Sequence, residues 1–287
     1  MLRASLPSPF ILLLTLLAMS GCWSENAAFE TTTWADDGTG FAFVEHTFEQ
    51  RSCCPSAIIG GLPTKNHRFQ IFTANLDGSG AKAVSPVFDN ATTNELRYMK
   101  SAGYILFSRS TSNSGGGFNL RYEKLDLASG SIKTVADYDV NYANNDCVSV
   151  NVFPSPDGAV FASVEQPSDC YELSAKLVFR DAFTLATLSS LDLTFTGALI
   201  EPQYQRSLDY AWHPDGTFVV WNHTTDDPAY KVTPAGMSTP ITPPTCSYPK
   251  TSSSIFGPNG EMAAYLGHAV DIYEADPNMA YPCSGTN

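Results

Sequence analysis

Aligning the internal turns of this 287-residue chain brings His46, Ser110, Gln166, His223 and His268 to one repeat position, each after an apolar run. Glu45, Arg109, Glu165 and Asn222 immediately precede the first four of these. The chain has 5 histidines, and three of them share this position. Neutral imidazole is a common metal ligand, and the flanking acids and arginine could grip a polar molecule. The ligand-face candidates are therefore His46, Arg109, Gln166, His223 and His268, with the metal left unknown. Ligands of one ion must converge within about 2.0–2.2 Å of it. Equivalent positions on separate repeats lie far apart, and polar strand ends explain the pattern equally well.

Catalytic groupings are thin. Asp37, Asp157 and Asp215 look like paired carboxylates in a list, yet each falls in a turn whose geometry already accounts for it. Glycoside hydrolysis needs two carboxylates roughly 5–9.5 Å apart; Glu45, Glu165 and Asp209 are the candidates, and nothing in the sequence pairs them. The chain has no Gly-x-Ser-x-Gly elbow, no His-Glu-x-x-His and no Cys-x-x-Cys. Asp226-Asp227 and Asn144-Asn145-Asp146 offer oxygen ligands without the spacing of a calcium loop. Ser110–Gly117 is a linker that lacks a phosphate-loop ending, so no catalytic residue is assigned and no cofactor is expected.

The elements that would position these residues show in the turns. Trp34-Ala-Asp-Asp-Gly38, Pro154-Ser-Pro-Asp-Gly158, Trp212-His-Pro-Asp-Gly216 and Phe256-Gly-Pro-Asn-Gly260 each precede an apolar run, with Tyr98–Gly103 as a degenerate fifth copy. Asp-Gly and Asn-Gly supply the positive φ of a tight hairpin. The flanking residues alternate as strands do. A further strand, a second turn and a fourth strand follow, as in FQIFTANL, Asp77–Gly80 and AKAVS. With 20 Gly and 19 Pro and no long helical period, the chain reads as all-β.

Repeated four-stranded antiparallel units are the pattern of β-propeller blades. The Pro-Asp-Gly phrase, followed by a strand and a second Gly turn, resembles the TolB-like, WD40-like repeat over nearly the whole mature chain. Five blades are expected, at about 28–86, 92–138, 146–196, 204–243 and 250–287. A six-bladed ring, its extra unit within 183–207, is the alternative. The segment Ala28–Trp34 is placed to close the ring against the last blade. Blade topology puts the tight turns on one face. The links between second and third strands, and between blades, lie on the other, here called the loop face.

The N-terminus bears on compartment. Arg3 precedes the apolar run Phe10–Met19, too short for a membrane span and fitting a signal-peptide core. Met19-Ser20-Gly21-Cys22 resembles a lipobox, which implies cleavage of residues 1–21, lipidation of Cys22 and a tether over 22–27 ahead of a single propeller domain at 28–287. Trp23 after the cysteine resembles an outer-membrane sorting signal. The formal charge is -13 and no basic run occurs, which excludes nucleic acid and leaves the lipid as the membrane contact. In an exported protein Cys53, Cys54, Cys147, Cys170, Cys246 and Cys283 read as disulfide formers. Cys147–Cys170 is the most local pair, and Cys246 or the Cys53-Cys54 pair are alternative partners for Cys283.

The expectation is a non-catalytic envelope scaffold that binds a protein through its loop face, the role that the TolB-like resemblance implies. Peptidoglycan or another glycan is a further candidate contact. The long link Thr47–Arg68, with Ala57-Ile58-Ile59, is the least repeat-like segment and the first candidate for contact. A glycan-active hydrolase or lyase on a five-bladed propeller is the alternative, and a small-ligand or metal-binding sensor the next.

Overall fold

The structure is a computed structural model. It describes residues 23–51, 64–89, 91–93, 95–112, 117–140, 149–166, 174–195, 208–213, 215–222, 229–241, 254–256, 262–266 and 269–273. All regular elements among them are strands, and no helix is long and apolar enough to cross a membrane. The strands form five antiparallel sheets in chain order. Sheet one holds β1 (Trp23–Trp34), β2 (Gly40–Arg51) and β3 (Thr64–Asn75), with the short outer pieces β4 (Lys82–Ala83) and β5 (Phe88–Asp89) both paired to β3. Sheet two runs β6 (Leu96–Met99), β7 (Tyr104–Ser112), β8 (Phe118–Asp126) and β9 (Ile132–Val140). Sheet three is β10 (Ser149–Pro154), β11 (Val160–Gln166), β12 (Ser174–Asp181) and β13 (Thr187–Thr194). Sheet four is β14 (Leu208–Trp212), β15 (Phe218–Asn222), β16 (Ala229–Val232) and β17 (Ser238–Ile241). Sheet five comprises β18 (Ser254–Phe256), β19 (Met262–Leu266) and β20 (Ala269–Tyr273).

Each sheet follows chain order, and the first four pack face to face in that order. Ala42, Val44, Phe69 and Ile71 of the first meet Leu96, Tyr98, Ile105 and Phe107 of the second in one buried cluster. Tyr104, Leu106, Tyr122 and Val135 of the second meet Val150, Val152 and Phe161 of the third. Ala162, Leu177 and Phe179 of the third meet Phe218, Val220 and Val232 of the fourth. The alternation within each strand explains this: odd and even residues are claimed by opposite neighbours, so interior blades are apolar on both faces. First strands lie beside first strands. Ala35, just past β1, bridges to Tyr98 of β6, and Trp212 of β14 donates from Nε1 to the carbonyl of Phe153 in β10 at 3.2 Å. β1 also lies against β18, so the ring of blades returns on itself. This is a β-propeller of five sheets.

The turns behave as their chemistry requires. Gly38, Gly158 and Gly216 adopt φ of 68°, 69° and 81°. Asp37, Asp157 and Asp215 each accept the backbone N–H two residues on, at 2.9, 3.0 and 3.1 Å. The degenerate copy holds too, with Gly103 at φ 78°.

Three expectations are revised. Residues Ala28–Trp34 pair with β2 as the first strand of blade one, and they touch the last blade without joining its sheet. The stretch read as a tether lies largely in the ladder, because Trp23 already stands opposite Arg51. Residues 187–194, inside the window for a sixth unit, are the outer strand of blade three. In that window, 196–207 lie outside the described residues.

Candidate functional site

The three long strands of blade one assemble the most chemically organised group on the loop-face end. His46 sits opposite Ala28 of β1 and Phe69 of β3. It lies within β2, five residues before the strand's end, where the sequence reading had placed it past the strand. His67 stands two residues from Phe69, the residue opposite His46, so strand alternation puts it on the same side of the sheet, and the register shifts just beyond it, between Thr47 and Glu49, with Asn66 at φ 54°. Glu30 follows Ala28, the residue opposite His46 on β1, by two positions and so shares its side, at the edge of a second shift between Phe29 and Thr32. Irregularities of this kind re-aim side chains without dissolving the sheet.

His46 Nδ1 lies 2.5 Å from Glu30 Oε1, and its Nε2 lies 2.8 Å from His67 Nδ1. His67 Nε2 is 3.1 Å from Thr64 Oγ1. The His46 ring stacks on Phe69 with centroids 4.2 Å apart and planes at 13°, which fixes its orientation, and its side chain is 13% exposed. One directed set of protons satisfies the whole chain. Thr64 donates to His67 Nε2, His67 Nδ1–H donates to His46 Nε2, and His46 Nδ1–H donates to the Glu30 carboxylate. The half-exposed outer ring is thus oriented through the inner ring by a carboxylate.

The remaining candidates are not gathered with it. Arg109, in β7, is bound to Glu123 of β8 by two hydrogen bonds of 2.9 and 2.8 Å, with its guanidinium 5.0 Å from the Phe88 ring centre. Its charge is spent inside blade two, so it is a structural cation. Gln166 ends β11 in blade three. Among the described residues no contact joins His46 and Arg109. His223 and His268 lie outside the described residues, as do Cys22, Cys53, Cys54, Cys147, Cys170, Cys246 and Cys283. No three His, Cys, Asp or Glu side chains among the described residues are placed to hold an ion together.

Two polar groupings escaped the sequence reading. Where the first strands meet, Tyr122 donates to Glu95 Oε1 at 3.1 Å and to the Val150 carbonyl at 2.9 Å, and Asn151 Nδ2 donates to the Tyr210 hydroxyl at 2.5 Å. Burial pushes the Glu95 carboxyl up, against the pull of Arg97 and the Tyr122 hydrogen bond. Burial also pushes the Tyr122 hydroxyl far up. Nearby, Thr93 Oγ1 is buried without a hydrogen-bond partner, while its carbonyl accepts from Thr31. The signal for this cluster was the polar residue at alternate positions of otherwise apolar first strands.

The second grouping lines a cleft of about 450 Å³ between β9 and blade three, among Tyr138, Glu165, Lys176 and Arg180. Glu165 accepts from Tyr138 at 2.6 Å and lies 3.9 Å from Arg180. Asp137 also lines it but is committed to Arg121 and Asn119 at 2.9 and 2.8 Å. Both carboxylates therefore serve as hydrogen-bond acceptors.

No family model and no curated protein sequence matches the chain. Solved structures similar to it include an oligogalacturonate lyase in complex with manganese, at 11% identity and TM-score 0.45, covering 88% of this chain and 65% of that one. Prolyl oligopeptidase B from Galerina marginata gives 12% identity and TM-score 0.38, over 88% of this chain and 43% of that one. The WD40 domain of SCAP from fission yeast gives 10% identity and TM-score 0.36, over 86% and 68%. The chain thus spans less than two thirds of the length of the first two.

Proposed function

We propose that this chain is an exported, lipid-anchored envelope protein whose propeller binds a protein partner at its loop face, around the raised end of blade one. The observation that carries the reading is the length of that blade. Among the described residues β1, β2 and β3 each run 12 residues, against at most 9 for strands of the other blades. Three extra residues are worth roughly 10 Å of strand. The turn ends are tied to neighbouring blades, so the excess stands above the loop face as a paired wall. Lys65 lies over the Trp23 ring at 4.2 Å and also bonds Glu49 at 3.2 Å, which stiffens its tip. A rigid rim carrying aromatic and charged groups suits recognition of another protein better than turnover of a small substrate. The lipobox-like start and the acidic composition support the envelope setting, and the six later cysteines support an oxidising one.

A photo-cross-linking side chain at Lys65 or Glu25, both exposed at this end, tests it in cells, with Ser79 on the turn face as control. A discrete partner captured from the first two positions and not from Ser79 is the expected result. Equal capture from both faces, or none in several growth conditions, overturns it. Cys22→Ala in parallel should release the protein from the membrane fraction, and continued tight association would refute the anchor.

A further inference from the structure

We propose that His46 and His67 form a site for a borderline divalent transition ion, Zn²⁺ or Cu²⁺, with Glu30 supporting it from behind. The proposal is independent of the docking reading. Metal-ligating imidazoles characteristically donate their other ring N–H to a carboxylate, which fixes the tautomer and raises ligand basicity. His46 has this arrangement: Nδ1 is committed to Glu30 at 2.5 Å, so the Nε2 lone pair faces outward, and Phe69 stacked beneath at 4.2 Å holds the ring plane. What Nε2 faces is a second imidazole nitrogen, His67 Nδ1, at 2.8 Å.

Only one proton lies between the two rings, and it has somewhere to go. When His67 shifts its proton from Nδ1 to Nε2, the Thr64 hydroxyl oxygen, 3.1 Å away, accepts it. Both facing nitrogens then present lone pairs, with no net proton released. Two nitrogens each about 2.0–2.1 Å from a tetrahedral ion are about 3.3 Å apart. The gap must therefore open by about half an ångström. His67 is the ring to move, since it is half-exposed beside the Asn66 bulge while His46 is stacked and sealed. Two protein nitrogens leave positions for water or for a donor from a bound partner. Imidazole pairs favour copper and zinc over magnesium and calcium.

The test is titration of the full-length chain in detergent, its thiols alkylated, with Cu²⁺, Zn²⁺ and Mg²⁺. Calorimetry gives affinity, and electron paramagnetic resonance of the copper form gives the nitrogen ligands. We expect one Cu²⁺ with a two-nitrogen pattern, weaker binding of Zn²⁺ to the same site, from which Cu²⁺ displaces it, and no binding of Mg²⁺. His67→Ala and His46→Phe should each abolish that pattern, the latter keeping an aromatic ring on Phe69. Glu30→Gln should weaken binding by about 10–100-fold. His213→Ala, a histidine on the turn face, should change nothing. Melting of each variant without metal establishes that it is folded. No bound ion in the wild type, or a two-nitrogen pattern that survives either histidine variant, overturns the proposal and leaves the two rings as a proton-sharing pair.

Discussion

Replacing Arg109 by alanine should destabilise the propeller by about 3 kcal/mol, and the size of that loss decides what the residue is for. Its two bonds to Glu123 are short and parallel, at 2.9 and 2.8 Å. The Glu123 side chain is 5% exposed and that of Arg109 24%. Removing one partner of a buried ion pair costs about 3–5 kcal/mol, because the other charge stays buried without compensation. Water can reach the vacated side of Glu123, which places the loss at the low end of that range. The guanidinium over Phe88 at 5.0 Å adds about 0.5–1 kcal/mol. Glu123→Gln should cost less, about 1–2 kcal/mol, since a partly exposed guanidinium rehydrates. The double variant should lose about 3 kcal/mol, leaving a coupling of about 1–2 kcal/mol between the two sites. Arg109→Lys should fall between, because a point charge cannot make the fork. Urea denaturation followed by tryptophan emission measures all four variants. Additive single losses, or an Arg109→Ala loss under about 1 kcal/mol, would refute the reasoning and return Arg109 to the ligand candidates.

Other positions make equally specific demands. Gly158→Ala should cost about 2–4 kcal/mol, because the residue has φ 69° and a Cβ there would lie 2.5 Å from Ala102 Cβ; adding Ala102→Gly should recover the clash and not the backbone strain, as urea midpoints will show. Hydrogen bonds from Ser155 and Ala159 hold the Asp157 carboxyl below its ordinary range, and those of Lys231 and Thr217 hold Asp215 far below. Depressed carboxyl groups give stability that is present above their unfolded value near 3.9 and lost as pH falls through the folded one. Melting temperature should therefore drop with acid below about pH 4, and Asp157→Asn should flatten that slope. Burial lowers the Lys124 ammonium, whose Nζ donates to the Ala182 carbonyl at 2.6 Å. A depressed base costs stability while it must carry its proton, so stability should rise as pH climbs toward the ordinary lysine range near 10.4. Lys124→Met should remove that rise in melts between pH 8 and 10.

The parts of the molecule that were legible in its sequence are those whose causes are local. A Pro-Asp-Gly turn needs only its own glycine φ and its own aspartate, so its copies announced the sheets and their order. His46 was legible as a residue and not as a site. Its partners Glu30 and His67 lie on its side of the sheet by plain alternation, but only the pairing register of three strands, which the alternation does not fix, brings them beside it. His67 seemed unremarkable because it matches no other repeat, yet it is the ring that His46 faces. For Arg109 it was the partner that the sequence did not show. Its repeat position suggested a ligand group, while Glu123, which neutralises it, lies across a hairpin at a distance the alternation does not reveal. Glu95, Tyr122, Asn151 and Tyr210 come from three blades, and the Tyr122 hydroxyl, reaching from a third strand, joins the polar groups of neighbouring first strands.

The division of labour between the two faces follows from where bonds between blades fall. On the turn face each junction among the first four blades is stitched. Asp36 accepts from the backbone and hydroxyl of Ser101, and Tyr104 donates to the Gly158 carbonyl at 3.0 Å. Lys124 crosses to Ala182, and Ser189 donates to Pro234 at 2.8 Å. These groups are consumed by one another and offer little to a ligand. Toward the loop face some polar groups complete circuits within a blade, Glu30–His46–His67–Thr64 in the first and Arg109–Glu123 in the second, while Tyr138–Glu165 and Asn151–Tyr210 cross between blades. The circuit of blade one orients the side chains at its rim. Blade one, tallest and carrying the one imidazole pair among the described residues, is where contact with a partner would begin. Shortening β2 and β3 by two paired positions each, with the turn face untouched, should therefore leave the urea midpoint within about 1 kcal/mol of wild type while abolishing partner capture. If capture persists in that shortened form, the raised end of blade one is not the docking surface.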